Sequence, residues 1–167
     1  MPLLRQPVRL YFFALFALCI GEMLFGIVYL QSMKGVAPCP MCIMQRYALL
    51  GVGLVALVGA LHNRAAILYG VLVTLAALIG GGVAARQSWL QLYPPQTMGC
   101  GPGLEYMLEN FPLTELLPKL FRGEGDCSAV DWTFFGLSIA NWGLITFAGI
   151  VIVTPWVVWR FRRAKRG

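Results

Sequence analysis

The sequence predicts an all-α membrane protein, a bundle of four transmembrane helices with one long external loop between the third and the fourth. Three observations lead there. Of 167 residues, 59% are hydrophobic and only 12% charged, which is more apolar surface than one small soluble core buries. The apolar residues gather into four runs, each meeting or approaching the roughly 20 residues that a spanning helix needs. The basic residues outside those runs fall mainly on one side of the resulting topology, as loops left in the cytoplasm do.

The first run, Leu10 to Leu30, is longer than an ordinary signal core, and Val36-Ala37-Pro38-Cys39 is a poor cleavage site, so it is expected to stay as a span. The second, Tyr47 to Leu61, is short. It gains length by starting at Ile43 or Met44, with Arg46 turned inward or snorkelling outward, giving a span of 44–61. The third runs from Ile67 to Ala85 and carries Gly80-Gly81-Gly82, which reads as close helix packing rather than a phosphate loop. The fourth runs from Ile139 to Trp159. The external loops then cover about 31–43 and 86–138, and all 167 residues form one integral membrane domain.

Arg5, Arg9, Arg64, Arg160, Arg162, Arg163, Lys165 and Arg166 all share one side, which places both termini in the cytoplasm. The basic tail, directly after a span, is a topology anchor for anionic lipid and not a nucleic-acid site. Every carboxylate except Glu22 lies on the other side, together with Cys39, Cys42, Cys100 and Cys127. In a bacterial inner membrane that side is the periplasm, where disulfides persist.

Within the long loop, Pro94, Pro95, Gly99, Gly101, Pro102 and Gly103 discourage regular structure around Cys100 and leave it reachable by a partner protein. Leu113, Leu116, Leu117, Leu120 and Phe121 recur at helical spacing. They describe either an amphipathic helix lying on the membrane or a loop helix packed on the bundle. Either one would constrain Cys127.

Cys39-Pro40-Met41-Cys42 is the chemical centre of the sequence. It puts two thiols at the mouth of the second span, where unpaired backbone N–H groups and the helix dipole favour thiolate over thiol. Arg46, one turn beyond Cys42, adds a cation that does not titrate away. A thiolate beside a fixed cation at a membrane surface suits electron donation to a lipid-soluble quinone, whose carbonyl Arg46 can hydrogen-bond. A stabilising disulfide or a zinc knuckle is the alternative. Zinc usually wants four N or S ligands, and the single histidine, His62, is expected across the membrane, so no metal is assigned. A structural Cys100–Cys127 bridge stays open. Cys19, mid-span, reads as a small buried apolar residue. Glu22, also within a span, is either functional, as a proton source or a partner for Arg46, or a hydrogen-bonded acid that fixes packing.

Taken together, the four spans, Cys39-Pro40-Met41-Cys42 with Arg46, Leu90-Gln91-Leu92-Tyr93-Pro94 before Cys100, and Gly125-Asp126-Cys127 resemble the DsbB-type disulfide bond formation proteins over nearly the whole chain. The resemblance implies a four-helix enzyme that reoxidises a periplasmic thioredoxin-fold oxidase, DsbA-like, and passes the electrons to ubiquinone or menaquinone. It also implies roles. Cys100 takes the partner's attack, Cys127 is released and attacks Cys39, and Cys42 emerges facing the quinone beside Arg46. Gln87 stands where some relatives carry a histidine near the quinone; it can hydrogen-bond there but cannot carry a proton charge. Two other readings compete. A vitamin K epoxide reductase-like protein would carry its CxxC in the last span instead of after the first. A Cu(I)-handling site built on Met33, Met41, Met44 and the thiols would leave Cys100 and Cys127 unexplained.

Overall fold

The computed structural model describes residues 6–35, 38–62, 64–94, 130 and 132–166. Cys100, Cys127, the Gly/Pro-rich stretch from Pro95 and the 113–121 segment lie outside the described residues. Among the described residues, four helices are long and apolar enough to cross a membrane, over Val8–Met33, Pro40–His62, Ala66–Leu92 and Ile139–Phe161. The chain is a multi-pass membrane protein.

Helix α1 (Gln6–Leu24) continues without a break into a π-helical segment, Phe25–Met33, that ends where the Lys34 N–H donates to the Tyr29 carbonyl at 3.1 Å. Helix α2 (Pro40–His62) returns, α3 (Ala66–Leu92) rises again, and α4 (Ile139–Arg166) closes the bundle. Both α2 and α3 extend past the spans expected from hydropathy. Proline begins α2 without cost, since a first-turn N–H has no intrahelical partner, and α3 runs on through Gln87 and Gln91 to Leu92, shortly before Pro94. The Cys39-Cys42 end of α2 therefore meets the last turns of α3. The start of α1, the end of α4 and His62 lie at the opposite end of the bundle.

The core is built from small and aromatic side chains. Phe12, Cys19, Val52, Ala56, Val73, Ala77 and Phe147 are buried, and Leu10, Ile79 and Ile152, each 70% exposed, form part of the outward face that an apolar solvent would cover. Gly80 lets α3 and α4 approach. A Cβ there would run into the Phe147 ring and stand 2.9 Å from Ala48 Cβ, and one at Gly81 would lie 3.3 Å from Phe147 Cβ, so these two glycines are close packing as the sequence predicts, while Gly82 faces open space. Cys19 is fully buried against Gly53, whose added Cβ would lie 3.2 Å from Cys19 Cβ.

A two-stranded hairpin, β1 (Thr133–Phe134) and β2 (Leu137–Ser138), leads into α4 with Phe134 opposite Leu137. Both turn residues, Phe135 at φ 51° and Gly136 at φ 76°, adopt the positive φ that matches strand twist in a two-residue hairpin. Ser138 then caps α4, its Oγ accepting from the Asn141 N–H at 3.3 Å. The same hydroxyl donates to Gln91 Oε1 at 2.6 Å, which ties the base of the hairpin to the top of α3. At the opposite end, the Arg160 and Arg163 guanidinium groups lie over Trp156 and Trp159, at 5.2 and 4.0 Å from the ring centroids. This is the amphipathic belt expected where a helix leaves the bilayer.

Candidate functional site

The first turn of α2 sets the thiols. The Ile43 N–H donates to the Cys39 carbonyl, so Cys39 is the capping residue, and its sulfur does what a serine or aspartate oxygen does at that position: it accepts the Cys42 N–H, at 3.3 Å. That geometry brings the two sulfurs within 2.8 Å of each other. They are poised to form a disulfide with small side-chain movement.

Gln87, from α3, reaches the same point. Its Nε2 donates to Cys39 Sγ and to Cys42 Sγ, both at 3.2 Å. Its Oε1 accepts from Gln45 Nε2 on α2 at 2.6 Å and from Cys42 Sγ at 3.7 Å, so Gln45 holds the amide with its Nε2 toward both sulfurs. Both glutamines are buried. Gly143 of α4 makes room for this arrangement, since a Cβ there would sit 2.7 Å from Gln45 Oε1. Sequence reasoning identified Gln87 but missed Gln45, which precedes Arg46 and carries no motif of its own.

Arg46 is held by the π-helical segment. Its Nη1 donates to Gln31 Oε1 at 3.0 Å and its Nη2 to the Gly26 carbonyl at 3.1 Å. Gly26 lies directly against that seat, since a Cβ there would fall 3.4 Å from Nη2, at van der Waals contact. A π-turn widens the helix and changes which carbonyls face outward, and such segments recur at functional sites. Here it supplies an acceptor for a cation inside the bundle.

These groups share one cavity of about 310 Å³, enclosed by all four helices and the hairpin. Cys39, Cys42, Gln87 and Arg46 lie on its wall, Leu49, Glu22 and Thr146 line it farther down, and Trp132, Phe134 and Trp142 line its hairpin side. The aromatic residues hold one another. Trp132 stacks on Phe134 with centroids 5.9 Å apart, Phe25 meets Trp132 edge-on, and Trp142 Nε1 donates to the Phe134 carbonyl at 3.1 Å. Apolar walls with a few converging polar groups are the usual makeup of a small-molecule site. The aromatic lining was not legible in a stretch that composition marks as loop.

Four of the six residues singled out by sequence are thus brought together: Cys39, Cys42, Arg46 and Gln87. Cys100 and Cys127 fall outside the described residues. Glu22 turns out to accept from Thr146 Oγ1 at 2.7 Å, while the Arg46 guanidinium donates to Gln31 and the Gly26 carbonyl. His62 is remote from the thiols, with the 23-residue α2, about 33 Å at a helical rise, between them.

The sequence profile of the disulfide bond formation protein DsbB family matches residues 8–157. A disulfide bond formation protein B from Azoarcus sp. (strain BH72) is 55% identical over 161 residues, covering 95% of each chain. One from Aromatoleum aromaticum is 51% identical, covering 92% of this chain and 94% of its own, and one from Paracidovorax citrulli is 47% identical, covering 90% and 87%. These matches do not favour the vitamin K epoxide reductase-like or the Cu(I)-handling alternative. A thiol pair at the mouth of a four-helix membrane bundle and a family match over residues 8–157 converge: the chain belongs to the DsbB family and is a membrane protein-disulfide oxidoreductase that forms disulfide bonds.

Proposed function

We propose that the protein resides in a bacterial inner membrane with both termini cytoplasmic, reoxidises a periplasmic DsbA-like thioredoxin-fold oxidase, and passes the electrons to ubiquinone or menaquinone bound in the cavity. The observation that carries this reading is that Cys42 and Arg46 line one apolar slot within the bundle. A volume of about 310 Å³ lies within the range of small-ligand sites, and Gly26 and Gly143 keep the polar rim open by lacking side chains. Residues and shape fit a quinone ring. When bound, a quinone takes up two electrons and two protons and leaves as quinol.

The chain's own residues do the rest. The partner's thiolate attacks the Cys100–Cys127 disulfide at Cys100, releasing Cys127, which attacks Cys39 and frees Cys42 as a thiolate; each step exchanges one S–S bond for another. Attack by the partner's second thiol on its bond to Cys100 releases the oxidised partner. The freed Cys100 attacks Cys127 in the Cys39–Cys127 bond, restoring Cys100–Cys127 and leaving Cys39 and Cys42 as the dithiol that the quinone oxidises. Gln87 Nε2 bonds Cys39 and Cys42 in the same region as Arg46, which orients an acceptor carbonyl through guanidinium donors not used by Gln31 and Gly26. Gln87 also lines the cavity and offers a second polar contact there. The orientation rests on the basic residues around Arg160 and Arg163, which share the end of the bundle opposite the thiols.

The experiment is catalytic oxidation of a reduced thioredoxin-fold partner by the purified protein in detergent, with and without added quinone and with chelator present. Turnover should require quinone and vanish in Cys39→Ser and Cys42→Ser. Equal turnover without quinone, or quinone reduction persisting in both variants, would sink the reading.

A further inference from the structure

The cavity holds a second ionisable group that the sulfur relay does not use. Glu22 of α1 lines it, and Thr146 of α4 donates to its Oε1 at 2.7 Å. Thr146 lies two turns beyond Ser138, the cap of α4, so about 12 Å of helical rise separates the hairpin end of the slot from this pair. Leu49, two turns beyond Cys42 on α2, lines the slot at a comparable depth. Thiols and Arg46 therefore occupy one part of the wall and a carboxyl group the floor.

A carboxyl group within a spanning helix is costly and by default functional. Two explanations that would remove the need for a function fail here. Glu22 is not the counter-ion of Arg46, whose guanidinium bonds Gln31 and the Gly26 carbonyl. Nor is packing a sufficient account, because the residue is only half-buried and faces the cavity.

We propose that Glu22, oriented by Thr146, delivers its carboxylic-acid proton to the quinone oxygen at the cavity floor, opposite the one held by Arg46. The inference rests on the quinone reading of the cavity. Its balance closes. Forming the Cys39–Cys42 disulfide from the dithiol releases two electrons and two protons, the number that quinol formation consumes. The Glu22 O–H bond breaks as its proton passes to the ring oxygen. Of the two thiol-derived protons, one passes through water at the open mouth to the oxygen held by Arg46 and the other returns to the Glu22 carboxylate, so Glu22 ends each cycle unchanged.

The test compares the parent protein with Glu22→Gln and Thr146→Val. Quinone binding is read from quenching of Trp132 and Trp142, which line the cavity. Absence of quenching in the parent would overturn the quinone reading itself. With binding in Glu22→Gln within about twofold of the parent, quinone-driven oxidation of the Cys39–Cys42 dithiol should fall about 100-fold, the lower range for loss of a general acid. Thiol exchange with the partner should be unchanged. An infrared difference spectrum, quinone-loaded minus quinone-free, should show a carboxylic-acid C=O band that shifts in Thr146→Val, where the acid remains but its hydrogen bond is gone, and that is missing in Glu22→Gln. Oxidation within twofold of the parent in Glu22→Gln would overturn the role of Glu22. Should that variant fail to fold, a band unmoved by Thr146→Val, or no carboxyl band in the parent, overturns it equally.

Discussion

Replacing Gln87 by leucine tests the amide that touches both sulfurs. The side chain keeps its volume but loses Nε2, which donates to Cys39 Sγ and Cys42 Sγ. A hydrogen bond to a charged group contributes about 1.5–3 kcal/mol. Lost from the state in which a cysteine sulfur is anionic, that is about 10- to 150-fold in the rate of the step that uses it, at 1.36 kcal/mol per decade. Gln45→Leu acts at one remove. It leaves Gln87 free to turn its oxygen toward the sulfurs and removes a neutral bond of about 1 kcal/mol, or roughly fivefold. Because Gln45 works only through Gln87, the two changes should not add. Gln45→Leu in a Gln87→Leu background should cost nothing further, and it relieves a buried amide left unpaired. The assay is single-turnover oxidation of the pre-reduced protein by added quinone, followed by quinone absorbance, with the four-member cycle measured under one condition. A Gln87→Leu rate within twofold of the parent, or additive effects in the double variant, would refute the claim that this pair positions the thiols.

Arg46→Gln should preserve the cysteine disulfides while weakening quinone use, and Arg46→Lys should rescue it poorly, because one ammonium cannot grip Gln31 and the Gly26 carbonyl with a planar fork; a quinone concentration series that is unchanged in both would count against it. Gly80→Leu should destabilise the bundle by at least the 1–3 kcal/mol typical of overpacking, since even its Cβ meets the Phe147 ring; a half-life in warm detergent equal to the parent's would contradict the packing described. Cys127→Ala should trap the partner on Cys100 as a mixed disulfide, and Cys42 and Cys100 removed together should leave a Cys39–Cys127 bridge; peptide mapping that finds the partner mainly on Cys127 would reverse the order of exchange.

Much of this was legible in the chain. Helix number follows from the length and apolarity of the runs, and the placement of Cys42 and Arg46 on one helix follows from their spacing. Gly80 announced a close approach. What hydropathy could not convey depends on distant residues. The seat of Arg46 requires a change of helical pitch at Phe25–Met33, which has no residue signature, and the Gln45–Gln87 bond joins residues 42 positions apart. Hydropathy also ended the third span early, because Arg86, Gln87, Ser88 and Gln91 are polar. In the fold, those polar residues extend the helix that delivers Gln87 to the thiols. Glu22 was ambiguous for the same reason, since register alone does not tell Thr146 from Arg46 as its neighbour.

The hydroxyl of Ser138 joins residues 47 positions apart when it bonds Gln91, and both residues line the cavity that holds Cys39. The connection between α3 and α4 therefore leaves and re-enters the bundle at the rim of that cavity. Any thiol carried on the connection meets Cys39 as a tethered group, at an effective concentration set by the geometry of the tether and not by the amount of protein in the membrane. In the relay proposed above, sulfur exchange within the chain is in consequence unimolecular, insensitive to dilution in detergent or lipid, and only the proposed encounters with the partner and with the quinone respond to concentration.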